Sequence, residues 1–181
     1  MAVFTSWYIP LDKQKKSLSI QEMALFGVLG ALMFALQVAM APLPNIEPVS
    51  LLVMIFAAVF GWKCLYPVYV FVVMEILFYG FSTWNIYYLY VWTVLVLAAI
   101  LMRKMEPALG WAVLSGVFGL AFGALCGIVD IFIGGWEFAF AKWVSGIPFD
   151  LLHCGGNFVI ALIMWKPLRR LLEKLYTGMR R

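Results

Sequence analysis

From Ser19 onward, apolar residues run in long blocks, broken only where proline, glycine, charged and amide side chains gather. The pattern predicts six helices, over about residues 20–41, 49–60, 64–81, 86–102, 108–133 and 138–165. Ser19 and Glu22 have capping-box spacing, in which the Ser hydroxyl and the Glu carboxylate each accept a backbone N–H of the first turn. Pro42 and Pro44 stop the first helix and open the loop Pro42-Leu43-Pro44-Asn45-Ile46-Glu47-Pro48. Gly61-Trp62-Lys63 makes a tight turn, and Gly134-Gly135-Trp136-Glu137 turns the chain from the fifth block into the sixth. The second block is short: a dozen residues at 1.5 Å each span about 18 Å against a hydrocarbon core of ~30 Å. It must borrow flanking residues or sit between longer helices.

Composition turns this pattern into a fold class. The chain is 65% hydrophobic and 12% charged, with a mean hydropathy of +0.98. Soluble domains are about a quarter charged, so a water-facing surface could not be covered. The expected fold is an all-α integral membrane protein. It has a leader over 1–18, a six-helix transmembrane domain over 19–166 and a basic amphipathic tail over 167–181.

Of the 13 Lys and Arg residues, all but Lys142 fall in four places. These are Lys13, Lys15 and Lys16; Lys63; Arg103 and Lys104; and Lys166, Arg169, Arg170, Lys174, Arg180 and Arg181. Basic residues in alternate loops follow the positive-inside rule. Both termini are therefore expected in the cytoplasm, with the Asn45/Glu47 loop, Ser82–Asn85 and Gly134–Glu137 outside. No basic face exists for nucleic acid. Ala39-Met40-Ala41 resembles a signal-peptide cleavage site, but the preceding apolar run is longer than an h-region and Pro42 follows directly, so the first helix is read as retained. Cys64, Cys126 and Cys154 are well separated and lack metal-type spacing, so reduced thiols are expected.

Two sets of residues carry candidate chemistry. Small residues recur every fourth position at Gly27, Ala31, Ala35 and Ala39, and again at Gly119, Gly123 and Gly127, spacings that admit a close helix partner. The second set is expected to pack within the bundle. For the first, a partner subunit and internal packing stand open. Polar groups inside the predicted spans are costly in lipid and should face the interior or water. Gln37, Glu75 and Asp130 lie near the outer helix ends, and Asp150 and His153 about a third of the way in. Asp150, His153 and Asn157 share one helix face, with Gly146 and Pro148 placed to open the helix before them. Either they contact a ligand or they form a structural cluster in which Asp150 holds His153. The implied object is a cavity open outward and closed inward. Aromatic residues including Trp84, Tyr87, Tyr88, Trp92, Trp136 and Trp143 crowd the same region, some as an interfacial belt and the rest able to stack on a ring. No phosphate-cradling or zinc-protease motif appears, and no Ser or Cys has a credible base. A single histidine rules out a multi-His metal centre. Neither catalysis, a bound cofactor nor a metal is expected.

Three stretches resemble the S components of energy-coupling factor (ECF) transporters: the small-residue run through Ala31, Ala35 and Ala39; Pro44-Asn45-Ile46-Glu47-Pro48-Val49-Ser50-Leu51-Leu52; and Trp143 through His153, continuing by Gly156-Asn157 to Lys166-Pro167-Leu168. The resemblance covers about residues 20–172. It implies a plasma-membrane subunit that captures a vitamin or other micronutrient from outside, with residues 19–166 as the substrate-binding domain. It also implies delivery on a complex with a transmembrane coupling subunit and two cytoplasmic ATPases. On it, Gly27, Ala31, Ala35 and Ala39 dock the partner, and Asn45 and Glu47 lie in a lid. The pocket would draw on Gln37, Glu75, Trp84, Tyr87, Tyr88, Asp130, Trp136, Trp143, Asp150, His153 and Asn157. Nickel and cobalt members depend on a histidine just behind the initiator Met, which this chain lacks. An aromatic pocket with carboxylates suits a neutral or cationic ring-bearing vitamin. Glu47-Pro48-Val49-Ser50 and the sixth helix resemble the cobalamin-type members; pyridoxine, a pyrimidine or thiamine precursor and a queuine-type deazapurine stay open. The rival reading is a proton-coupled transporter acting alone, with Glu75 or Asp150 as carrier.

Overall fold

The computed structural model describes residues 17–43 and 45–179. Most of the predicted leader, with Lys13, Lys15 and Lys16, and also Pro44, Arg180 and Arg181 lie outside the described residues. The elements are α1 (Ile20–Met40), α2 (Val49–Phe60), a 3-10 turn (Gly61–Cys64), α3 (Leu65–Tyr79), α4 (Thr83–Leu101) and α5 (Ala108–Met179). There is no strand among the described residues.

The expected capping box opens α1: Ser19 Oγ accepts from Glu22 N–H and Glu22 Oε2 accepts from Ser19 N–H, both at 3.1 Å. At the start of α4, Asn85 Oδ1 reaches back to accept the Ser82 N–H at 2.6 Å. The fifth and sixth predicted blocks form one helical run broken at Gly135 (φ 81°, ψ 178°), a conformation that side chains disfavour and glycine tolerates. There the chain folds back into two antiparallel arms, 108–134 and 136–179. Trp111 stacks on Trp165 with ring centroids 3.9 Å apart, and Lys142 pairs with Asp130 across the turn at 2.8 Å.

Two expectations about the second arm are corrected. Its helix does not end near Trp165 but continues through Pro167 to Met179, where Leu172 and Tyr176 are buried. The Tyr176 ring meets Phe60 edge-on at 4.8 Å. Nor do Gly146 and Pro148 open the arm; Gly135 is where α5 leaves helical geometry.

Every residue of α2 is buried, with α4 and α5 against it, which is how so short a helix is accommodated. α1 rests chiefly on α3. Their closest approach is at Gly30, where a Cβ would stand 2.6 Å from Val70 and 2.7 Å from the Pro67 carbonyl. By length and composition, four runs among the described residues can cross a membrane: Ile20–Met40, Val49–Tyr79, Thr83–Leu101 and Ala108–Met179. Leu77, Leu101 and Phe132 are at least 75% exposed, a surface suited to lipid and unfavourable in water. The chain is a helical, membrane-embedded protein.

The packing separates two ends. At the basic end, Lys63 Nζ donates to both oxygens of Glu22 at 2.9 Å and the Tyr176 hydroxyl donates to Glu22 Oε1 at 2.5 Å. This knot joins α1, the turn after α2 and the end of α5. At the opposite, loop end lie residues 41–43 and 45–48, Gly80–Ser82 and the turn at Gly135.

Candidate functional site

At the loop end, the segment before α2 folds over the second arm of α5. Asn45 Nδ2 donates to the Phe149 carbonyl at 3.1 Å. Asn45 has φ 55°, a left-handed conformation that asparagine accepts more readily than most residues. Ile46 rests on Gly156, where a Cβ would meet its Cγ1 at 3.3 Å. Next along, Glu47 lies within electrostatic reach of Glu75 from α3 and Tyr88 from α4.

Burial, and after it the charge of Glu75, pushes the Glu47 carboxyl up to about 7. The closed loop therefore holds this proton more tightly than an open loop would. Closure is favoured at low pH, loses ground as pH rises from the ordinary carboxylate range to about 7, and changes no further above it. A nitroxide on Leu43→Cys should thus be less mobile by electron paramagnetic resonance at pH 5.5 than at pH 8, and Glu47→Gln should flatten that difference. A mobility that rises as the pH falls would contradict the assignment.

Deeper in, α4 and the two arms of α5 contribute to an aromatic cluster. Trp92 of α4 lies 5.4 Å from Tyr88, 5.8 Å from Phe118 and 6.0 Å from Phe122 between ring centroids. Phe122 in turn meets the His153 imidazole at 5.1 Å. Around these rings are buried polar atoms with no protein partner: Trp92 Nε1, both His153 ring nitrogens, Asp150 Oδ2, Glu75 Oε1, Gln37 Oε1 and Ser115 Oγ. Each such atom costs roughly 1–3 kcal/mol in a protein interior, so natural folds keep few of them. They descend from Gln37 and Glu75 near the loop end, through Asp150 and His153, to Ser115 beside Asn157.

Asp150, His153 and Asn157 do share a buried face, but Asp150 does not hold His153. Its Oδ1 accepts the Gly123 N–H at 3.1 Å. Asn157 is structural in its bonding, its Nδ2 donating to Ser50 Oγ at 3.0 Å and the Ser115 carbonyl at 3.3 Å. Asp130 and Tyr87 belong to a staple: the Tyr87 hydroxyl donates to Asp130 Oδ1, and Lys142 Nζ donates to both at 2.8 Å. Trp136 and Trp143 are exposed and are not gathered into the buried cluster; Trp84 is exposed too, but its ring meets Tyr87 at 5.5 Å and Tyr88 at 6.4 Å. Gln37 approaches Tyr88 from α1 and brings the first helix to the rim.

Sequence reading places Trp92 only in a crowd of aromatics and does not reach Phe118, Phe122, Ser115 or Lys142. Lys142 carries a signal, as the one cation outside the charge pattern. The phenylalanines carry none, since their role depends on which face of the fifth block meets α4. Below the cluster the interior turns apolar, with Leu51, Met54, Ile55 and Phe56 of α2 almost fully buried. The Trp111–Trp165 stack lies toward the basic end. Comparison with protein-family models, curated proteins and solved structures finds no match.

Proposed function

We propose that this protein is the substrate-capturing S component of an ECF-type importer. It crosses the plasma membrane six times, with both termini cytoplasmic and the loop end outside. The six passes comprise α1, α2, α3, α4 and the two arms of α5. A vitamin or related micronutrient enters from outside and binds the aromatic cluster while the loop carrying Asn45 and Glu47 covers it. It is released inward on a complex with a transmembrane coupling subunit and two ATPases. The protein itself hydrolyses nothing, and cobalamin leads among the substrates.

The observation that carries this reading is the set of unpartnered buried polar atoms beneath the loop, above an apolar plug. A proton relay acting alone would need polar groups strung across the whole depth. The descending series instead ends at Asn157, whose amide nitrogen is already bonded.

The face of α1 proposed to dock the coupling subunit also fits. A Cβ on Gly27 would meet nothing within 4 Å, and Ala35 and Ala39 are exposed. Gly30 supplies the internal contact instead. By contrast Gly119 and Gly123 pack inside the bundle, against His153 and Asp150 respectively.

Native mass spectrometry of the purified protein should show one small molecule bound per chain. An Ala31→Leu/Ala35→Leu double variant should keep that ligand while losing assembly and uptake. Loss of ligand in the double variant would place the face inside the bundle. Proton-driven flux in liposomes holding this chain alone would favour the stand-alone transporter.

A further inference from the structure

The donors and acceptors of the buried cluster do not balance. Gln37 Oε1, Glu75 Oε1 and Asp150 Oδ2 are oxygens without a protein partner. Trp92 Nε1 is an orphan too, and an indole N–H can only donate. His153 and Ser115 can serve either way. Glu47 adds a further carboxyl within reach of Glu75. Against these, the described Lys and Arg residues other than Lys142 belong to the basic end. Lys142 is committed to Asp130 and Tyr87.

A phosphate or carboxylate brought into this place would therefore be desolvated beside carboxyl groups with no cation to answer it, an arrangement that buried charge does not tolerate. A protonated amine, an exocyclic amino group or a primary amide would meet oxygens that lack donors. Its ring would find the faces of Trp92 and Phe122, which favour cations and planar systems.

We propose that the site selects a ring-bearing molecule that is neutral or cationic and rich in N–H donors, and that it rejects the phosphorylated forms of the same molecule. Glu75 and Asp150 accept the donors, and Trp92 Nε1 donates to an acceptor on the ligand. The proposal rests on the capture reading and narrows it to one chemical class, which, because cobalamin carries a phosphodiester, favours the smaller unphosphorylated ring compounds over it.

The test uses the full chain in lipid nanodiscs, titrated by calorimetry with matched pairs. The pairs are thiamine and thiamine monophosphate, pyridoxamine and pyridoxamine 5′-phosphate, and nicotinamide and nicotinate, with hydroxocobalamin, which carries a phosphodiester and should not bind, as a single probe against the class. The expected result is that any binder is an unphosphorylated, donor-rich compound whose anionic counterpart binds at least a hundredfold more weakly. Asp150→Asn and Trp92→Phe should each weaken binding by about tenfold to a hundredfold, as for loss of a buried hydrogen bond to ligand. Asp150→Asn, which keeps the side-chain volume, should do so without lowering the unfolding temperature.

Tighter binding of an anionic member would overturn the class while leaving capture intact, as would unchanged affinity in both variants. If no probe binds but a molecule co-purifies, its charge and N–H count decide in the same two directions. If nothing binds or co-purifies, the capture reading fails and this proposal fails with it.

Discussion

Gly119→Val is expected to destroy the site from a distance. A Cβ at this position would stand 2.8 Å from the backbone carbonyl of His153 and 2.9 Å from the Cys154 nitrogen. These are main-chain atoms of the opposing arm, which cannot swing aside as a flexible side chain would. Valine adds two further methyl groups, so the arms must part at the very level where Phe118, Phe122, Asp150 and His153 depend on their spacing. Overpacking costs about 1–3 kcal/mol where side chains give way, and a backbone obstacle puts this variant at the upper end. For a chain of this size, that is a fall in unfolding temperature of roughly 6–12 °C. Gly127→Ala is the control, because a Cβ there meets nothing within 4 Å. Thermal unfolding in detergent, followed by tryptophan fluorescence, measures both. Equal unfolding temperatures would mean that the arms are not packed face to face.

The second large effect is expected at the other end of the molecule. Lys63→Met removes the cation beside Glu22, whose side chain is only 6% exposed, and leaves its carboxylate with the Tyr176 hydroxyl and the Ser19 N–H. Breaking a buried pair from one side costs about 3–5 kcal/mol, whereas replacing both partners with neutral groups is often close to neutral. Lys63→Met should therefore be strongly destabilised, and the Glu22→Gln/Lys63→Met double variant should recover most of the loss. Guanidinium-free thermal scans of the four proteins in the cycle give the coupling directly. Additive losses would show that the two side chains do not act as a pair.

Much of the architecture is legible in the sequence because lipid imposes a strict rule on it. Apolar blocks have to be helices, and Ser19 with Glu22 marks the start of the first. The limits of α2 agree with the predicted 49–60, since Pro48 and Gly61 punctuate both ends. The end of the sixth block is misplaced at Lys166-Pro167 because charge and proline usually announce a terminus. The burial of Leu172 and Tyr176 against α2 and Glu22 outweighs that signal, and it is a tertiary contact that no local pattern displays. The polar face of Asp150, His153 and Asn157 is visible from spacing alone. Which of them is bonded is not, because Asp150 turns to a backbone N–H made available by Gly123, and Asn157 turns to Ser50, 107 residues away in the chain. Asp130 looks like a pocket acid for the same reason: its partner Lys142 sits on the far side of a hairpin whose register only the fold defines.

The central claim is that the polar cluster is reached from outside, beneath the loop. It is tested most directly by labelling intact cells with a membrane-impermeant thiol reagent, in a chain whose three native cysteines are replaced by serine or alanine. Asn45→Cys should react from outside and Lys104→Cys only after the cells are opened. The reverse pattern would place the loop in the cytoplasm and contradict capture from outside.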